Sequence, residues 1–440
     1  MWPSAEAVAD VRIADGRVVD RGPGLRAFGG EDELDAAGCA LLPGLHDHHV
    51  HLRALAAAQA SVQVGPEQVG SAAELAARLR EADAAAPAGA WLRCVGYHEA
   101  VAGPLDRWVL DRLMASPARP ANPARPVRVQ HRTGALWVLN SAAVDLLGLD
   151  GDGPARDLTG VERDGGHRAT GRLWRMDRWL GDRVPGRPGD LAAGLASVSA
   201  RAAAVGVTGF TDATPDATGI GVAGLAAAVA DGTIAQRLHC MAPADHSAVS
   251  VASGRFSIGP VKIMLDDETL PSLDAAGRAP GDRIEHGAVI PAELVPALRG
   301  LTVVSQPHFV VERGEQYARD VAPGDLPDLW RLRSLIDAGV AVAAGTDAPF
   351  GGADPWPVMR AATRRPAALG PGETVDPATA ARLFLGSAAA PSVPRAIAPG
   401  AAADLVLLRC PPREAVRSLG ADLVAATIID GDVVYRAGSG

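Results

Sequence analysis

Both ends of the chain alternate apolar and polar residues with the two-residue period of a strand. VRIADGRVVD does so around Asp15-Gly16 and TIIDGDVVYRAG around Asp430-Gly431, and a D-G pair between such runs predicts a hairpin at each end. With ADLVLLRC (Ala403–Cys410), they predict a small terminal β-sandwich domain built from residues 1–41 and 393–440. The rest of the chain is then inserted between its two halves.

From Val207 onward the pattern changes to short, wholly apolar runs: VTGFTD, RLHCMA, GPVKIML, RIEHG, TVVSQPHF and VAVAAGTD. Segments such as GIGVAGLAAAVADG and PDLWRLRSLIDAGV, each closed by a glycine, separate them as helices would. That is the cadence of βα units, and ALLPGLHDHHVHL supplies an earlier strand of the same kind. The fold class expected is α/β, a TIM-type (β/α) barrel made of residues 42–58 and 191–392. Residues 59–190 interrupt it as an insertion or lid. They carry a helical stretch (SAAELAARLREADAAA), two strand candidates (WLRCVGY and VRVQHR) and a Pro-rich loop, PARPANPARP. No repeat of fixed period runs through the chain.

Composition narrows the function without naming it. The chain has 440 residues, 48% hydrophobic and 21% charged, which excludes wholesale disorder. A formal net charge of −9 leaves no basic stripe for nucleic acid or an acidic membrane surface, so the partner expected is a small-molecule substrate. No apolar run reaches the ~18 residues of a membrane span, and MWPSAEAVADVR lacks the basic start and apolar stretch of a signal peptide. A cytoplasmic location is expected. Cys39, Cys94, Cys240 and Cys410 are scattered and read as reduced structural thiols. The 42 basic residues include a single lysine, Lys262. Arginine serves on any solvated surface, whereas an amine can lose its proton when buried, so Lys262 is a candidate for chemistry.

The segment LHDHHVHL (Leu45–Leu52) carries the strongest chemical signal. Alternation on a strand places Asp47, His49 and His51 on one face and His46 and His48 on the other. Two imidazoles at i and i+2 can grip one cation. Lys262, His286 and Asp347 each fall at the C-terminal end of a later strand, where barrel enzymes hold their ligands. His239 and His308, the latter placed on the TVVSQPHF strand, read as core residues or substrate contacts. Tyr97, His98, Arg132 and Trp137 in the insertion are candidates for shaping specificity.

PGLHDHHVHL, VKIMLDD, RIEHG, QPHF, GTDAPF and IAPGAAADLVLL resemble the metal-dependent amidohydrolase superfamily, in the group containing N-substituted formamide deformylase. The resemblance covers nearly the whole chain, including GVTGFTD and WVLNSAAV. It implies hydrolysis of a C–N bond in an amide, formamide or cyclic amide by metal-activated water. It implies His49 and His51 as the first metal pair, Lys262 as a carboxylated lysine bridging two metals, and His286 as a further ligand. Asp347 would bind metal and shuttle the proton; His308 and Tyr97, from their positions on the seventh strand and in the insertion, are the substrate contacts expected.

The sequence also departs from that pattern. The strand between the lysine strand and RIEHG, with its histidine ligand, is missing: Glu268–Asp282 holds no histidine and too few residues for a strand between two helices. Strands start near 47, 207, 237, 260, 283, 302 and 340, one short of eight. A second metal would keep two protein ligands, Lys262 and His286, so the cofactor expected is one divalent metal, zinc first, rather than two, with His286 then a catalytic residue free to orient substrate or water. An open edge would invite a homodimer. The alternative reading is a degenerate barrel with an incomplete metal site and little or no catalysis.

Overall fold

The computed structural model describes residues 8–115, 125–151, 153–184, 189–215, 219–242, 254–263, 277, 279 and 281–438. The chain divides into two units, residues 1–53 with 195–440, and residues 54–194.

In the first unit the apolar runs form parallel strands in two arcs. One arc is four-stranded, in the order Phe256–Val261, Arg237–Ala242, Val207–Asp212, Leu45–Val50; the other is three-stranded, in the order Arg283–Glu285, Thr302–Ser305, Ala341–Ala344. The arcs meet where Asp347 N donates to His49 O at 2.8 Å and His51 N to Ala348 O at 2.9 Å. Glycines permit close approach on both sides of Leu45–Val50, Gly345 where the arcs meet and Gly209 within the four-stranded arc. A Cβ on Gly345 would lie 2.5 Å from His49 N, and one on Gly209 would lie 2.4 Å from His46 Nδ1. At the other ends of the arcs, no ladder joins Phe256–Val261 to Arg283–Glu285 among the described residues. Among the described residues the strands therefore form two arcs rather than one closed sheet. Most of the chain between those two strands, including MLDD of the lysine motif, lies outside the described residues.

One element departs from its sequence pattern. The TVVSQPHF strand ends at Ser305, and His308 opens a short helix, His308–Glu312. Pro307 stands in helical conformation (φ −61°, ψ −20°), and proline offers no N–H to extend a ladder.

Both D-G pairs make tight turns with positive φ, at Asp15-Gly16 and Asp430-Gly431. Asp10–Ala14 and Arg17–Gly22 form the first hairpin. The second belongs to an antiparallel sheet in the order Asp432–Arg436, Val424–Ile429, Leu405–Leu408, Leu41–Pro43. Hydrogen bonds from Val18 N to Ala401 O (2.9 Å) and Ala403 N to Gly16 O (2.8 Å) tie the N-terminal hairpin to the C-terminal segment.

The second unit holds a six-stranded sheet in the order Val62–Gln63, Leu92–Tyr97, Val127–His131, Leu136–Leu139, Ala169–Trp174, Val161–Arg163. WLRCVGY and VRVQHR are thus neighbouring parallel strands. Leu75, Leu79, Cys94, Leu110, Val127 and Val129 are buried together on one of its faces. Most of the PARPANPARP segment lies outside the described residues. Among the described residues no helix is long and apolar enough to cross a membrane.

Candidate metal centre

The candidate ligands gather beyond the C-terminal ends of parallel strands, but simple alternation does not bring them there. Phe210 pairs with Asp47 and Asp212 with Val50, so Leu45–Val50 holds one extra residue over that stretch, offsetting the extra residue its partner holds between Val207 and Gly209. This bulge resets the two-residue period after Asp47. Asp47 therefore does not join His49 and His51 as alternation alone predicts. Its carboxylate accepts from Thr346 N (2.9 Å), Thr346 Oγ1 (2.5 Å) and His49 N (3.2 Å). Burial pushes the Asp47 carboxyl up to about 6 in spite of those hydrogen bonds. His46 and His48 stack with ring centroids 4.5 Å apart, and His46 Nε2 meets Thr211 Oγ1 at 2.9 Å.

His286 and Asp347 lie just past their strands with φ of +70° and +53°. Left-handed backbone is uncommon for residues other than glycine and concentrates at functional sites. Here it turns two ligand-type side chains back toward His49. The ring centroids of His49 and His286 are 4.6 Å apart, and those of His49 and His51 are 5.2 Å apart. The ligand atoms of His49, His286 and Asp347 lie within 4.8 Å of one another.

Each imidazole is anchored through Nδ1. His49 Nδ1 meets the Glu285 carboxylate, His286 Nδ1 meets Gln306 Oε1 at 3.0 Å, and His51 Nδ1 meets Thr214 Oγ1 at 3.1 Å. An ionised carboxylate and an amide oxygen only accept, so His49 and His286 carry their protons on Nδ1 and leave Nε2 with a lone pair. His49 Nε2 and His51 Nε2 lie 3.4 and 3.2 Å from Asp347 Oδ1. Both His49 Nε2 and Asp347 Oδ1 are buried and lack a well-formed hydrogen bond. Donors about 3.3 Å apart are what a small cation needs when its bonds are ~2.0–2.1 Å long in a tetrahedron. The residues fit a divalent metal.

The electrostatics agree with that fit. Burial lowers the His49 imidazole to about 4 despite Glu285, which keeps it neutral. Burial opposes ionisation of Asp347, but His51, His49 and His286 outweigh it and hold the carboxyl well below its usual range. Glu285 is likewise held ionised against burial by His49 and by Arg283, whose guanidinium also donates to His48 O at 2.6 Å.

Lys262 stands just past Phe256–Val261, half-buried. Burial lowers its ammonium pKa, opposed by Glu285, Asp347 and Asp212, so the acidic centre forms its charged surroundings. His308 is buried against Phe309, with burial lowering its imidazole to about 4 and Asp347 among its neighbours. His239 is held by Ser257 Oγ at 2.8 Å and joins no ligand group among the described residues.

Tyr97 belongs to the second unit and donates its hydroxyl to Gly103 O. In that unit His98, Glu99 and His131 also form a compact group, with His131 Nε2 2.9 Å from Glu99. There both Nδ1 atoms accept backbone N–H bonds, from Ala100 and Thr133, so the protons sit on Nε2, and Glu99 receives that of His131 without any ion, while His98 Nε2 lies 3.9 Å from it.

Sequence reasoning missed the residues that orient the ligands. Glu285, Arg283, Gln306, Thr214 and Thr346 act through tertiary distances. The only signal was their adjacency to His286, Asp347 and the other quoted motifs.

The amidohydrolase family matches residues 32–269 and 263–435, and the chain belongs to it. The two matched segments meet where the sequence lacks a strand. An uncharacterised metal-dependent hydrolase from Pyrococcus horikoshii superposes with a TM-score of 0.64 at 17% identity, over 91% of this chain and 93% of that one. One from Pyrococcus furiosus gives 0.61 at 18%, over 91% and 94%. Both share the α/β barrel-like fold. A dihydroorotase from Citrifermentans bemidjiense is 52% identical over 48 residues, 11% of each chain, and one from Geobacter sp. matches to the same extent. The match spans about a tenth of the length of these curated relatives.

Proposed function

We propose that this chain is a metal-dependent hydrolase that cleaves a C–N bond in a small amide, formamide or cyclic amide. The observation that carries the reading is the set of three imidazoles anchored through Nδ1 with two Nε2 atoms facing Asp347. His49, His51, His286 and Asp347 would hold a divalent cation, zinc first. A cation bound there would act as a Lewis acid, activating water near neutral pH and polarising the substrate carbonyl.

The chain's own residues supply the rest. Asp347, whose carboxyl is held well below its usual range, would take a proton from attacking water and return it to the leaving amine. Glu285 fixes the tautomer of His49, and Arg283 fixes Glu285. His308 would meet substrate beside Asp347, and Lys262 would serve as a carbamate ligand. The local identity with dihydroorotases supports a cyclic amide within the substrate class. The intact ligand set supports hydrolysis over a degenerate site.

The test is metal content per chain together with hydrolysis of a panel of formamides, linear amides and cyclic amides. One divalent metal per chain and turnover of a panel member are expected, and both are lost together in H49A/H51A. Metal retained at full stoichiometry by that variant would remove the assignment.

A further inference from the structure

The second unit holds a charged group that plays no part in the metal centre. Arg93 and Arg128 are paired across neighbouring parallel strands, so their side chains leave the same face of the sheet side by side. Trp137, on the next strand opposite Gln130, takes both guanidinium groups over its ring, at 5.3 and 5.2 Å from the centroid. Arg93 donates to Ser61 Oγ. Arg128 Nε is buried with no hydrogen-bond partner. Their nearest acid is Asp177, whose Oδ1 already accepts from Trp137 Nε1 (2.8 Å) and Gln130 Nε2 (3.3 Å).

Other shielded arginines of this unit are satisfied. Arg107 is bonded to Asp150, Asp145 and Ser141, and Arg125 to Asp83 and the carbonyls of Pro87, Ala90 and Ala86. A guanidinium cannot shed its proton to escape burial, so an unpaired one calls for an anion. Two guanidinium groups against one carboxylate leave one positive charge. The planar N–H fork matches a carboxylate, which accepts two parallel hydrogen bonds.

We infer that Arg93, Arg128 and Trp137 form a binding site for a singly charged carboxylate of a small molecule. This site does not depend on hydrolysis at the metal centre.

The test compares thermal unfolding of the full chain in sodium acetate, sodium succinate, sodium phosphate and sodium chloride at matched ionic strength. The carboxylates should raise the midpoint by about 1.5 °C at roughly ten times their dissociation constant. Arg128→Met should abolish that response and raise the midpoint without ligand, because it removes a half-buried charge whose Nε has no hydrogen-bond partner. Arg93→Gln should weaken the response, and H49A/H51A should keep it. A carboxylate shift unchanged in Arg128→Met would overturn the site, as would a lower basal midpoint in that variant. A shift with phosphate and none with acetate or succinate would overturn the carboxylate assignment.

Discussion

At the residue scale, the centre depends on side chains that touch no substrate. Glu285 leaves the His49 Nε2 lone pair facing Asp347, and Arg283 keeps Glu285 in place. Outer partners of this kind contribute about 10–100-fold to metal affinity. Glu285→Gln should therefore weaken zinc binding by about 10-fold with little change in thermal midpoint measured after chelation. A zinc titration checks it, and unchanged affinity would show that packing alone orients His49. Lys262 allows a sharper contrast. If its amine serves as a carbamate ligand, Lys262→Arg should lower metal content and activity together, since guanidinium stays protonated. Wild-type metal content in that variant would make Lys262 a bystander near the acidic cluster.

At the element scale, the strand runs and the residues at their ends were legible in the sequence, because buried parallel strands are short apolar runs bounded by polar chemistry. The inward turn of the ligands was not. It depends on a bulge defined by the register between Leu45–Val50 and Val207–Asp212, and on left-handed backbone at His286 and Asp347. Neither leaves a mark in periodicity. The helix at His308 was closer to legible, since Pro307 signals that a strand cannot continue.

Another link at this scale was invisible in sequence. Glu373 is buried and accepts from Arg331 (2.9 Å), Leu332 N (3.1 Å), Ser334 N (3.0 Å) and Ser334 Oγ (2.6 Å), joining a turn to the helix Arg333–Asp337. Burial raises its pKa, but Ser334, Arg331 and Leu332 outweigh that and hold it below 4.5. A depressed carboxyl stabilises the fold above its unfolded pKa, and that contribution disappears as pH falls through the folded value. Glu373→Ala should cost about 2 kcal/mol at neutral pH because the N–H groups of Leu332 and Ser334 lose their acceptor, while Arg331 keeps Asp328. Glu373→Gln should cost less and flatten the loss of stability below pH 4.5. Urea unfolding from pH 7 to pH 3 measures both, and parallel wild-type and Gln curves would show that Glu373 is not the titrating group.

At the scale of the whole molecule, the number of metals follows from how the parallel strands are divided. Beyond the four-stranded arc, no ladder reaches Arg283–Glu285 among the described residues, and the sequence there has no histidine to complete a second cation. His286, which the resemblance would give to a second metal, lies instead in one group with His49 and Asp347. His51 Nε2 lies outside that group but 3.2 Å from Asp347 Oδ1, the oxygen that also faces His49 Nε2 at 3.4 Å. A second cation would have Lys262 and a histidine already engaged at the first, fewer than the three protein ligands that catalytic zinc sites keep. The purified chain, dialysed against zinc and analysed by metal emission, should therefore retain one equivalent. His286→Ala should lower affinity for that same equivalent rather than remove another. Two tightly held equivalents, with one lost selectively in His286→Ala, would establish a second centre and return His286 and Lys262 to it.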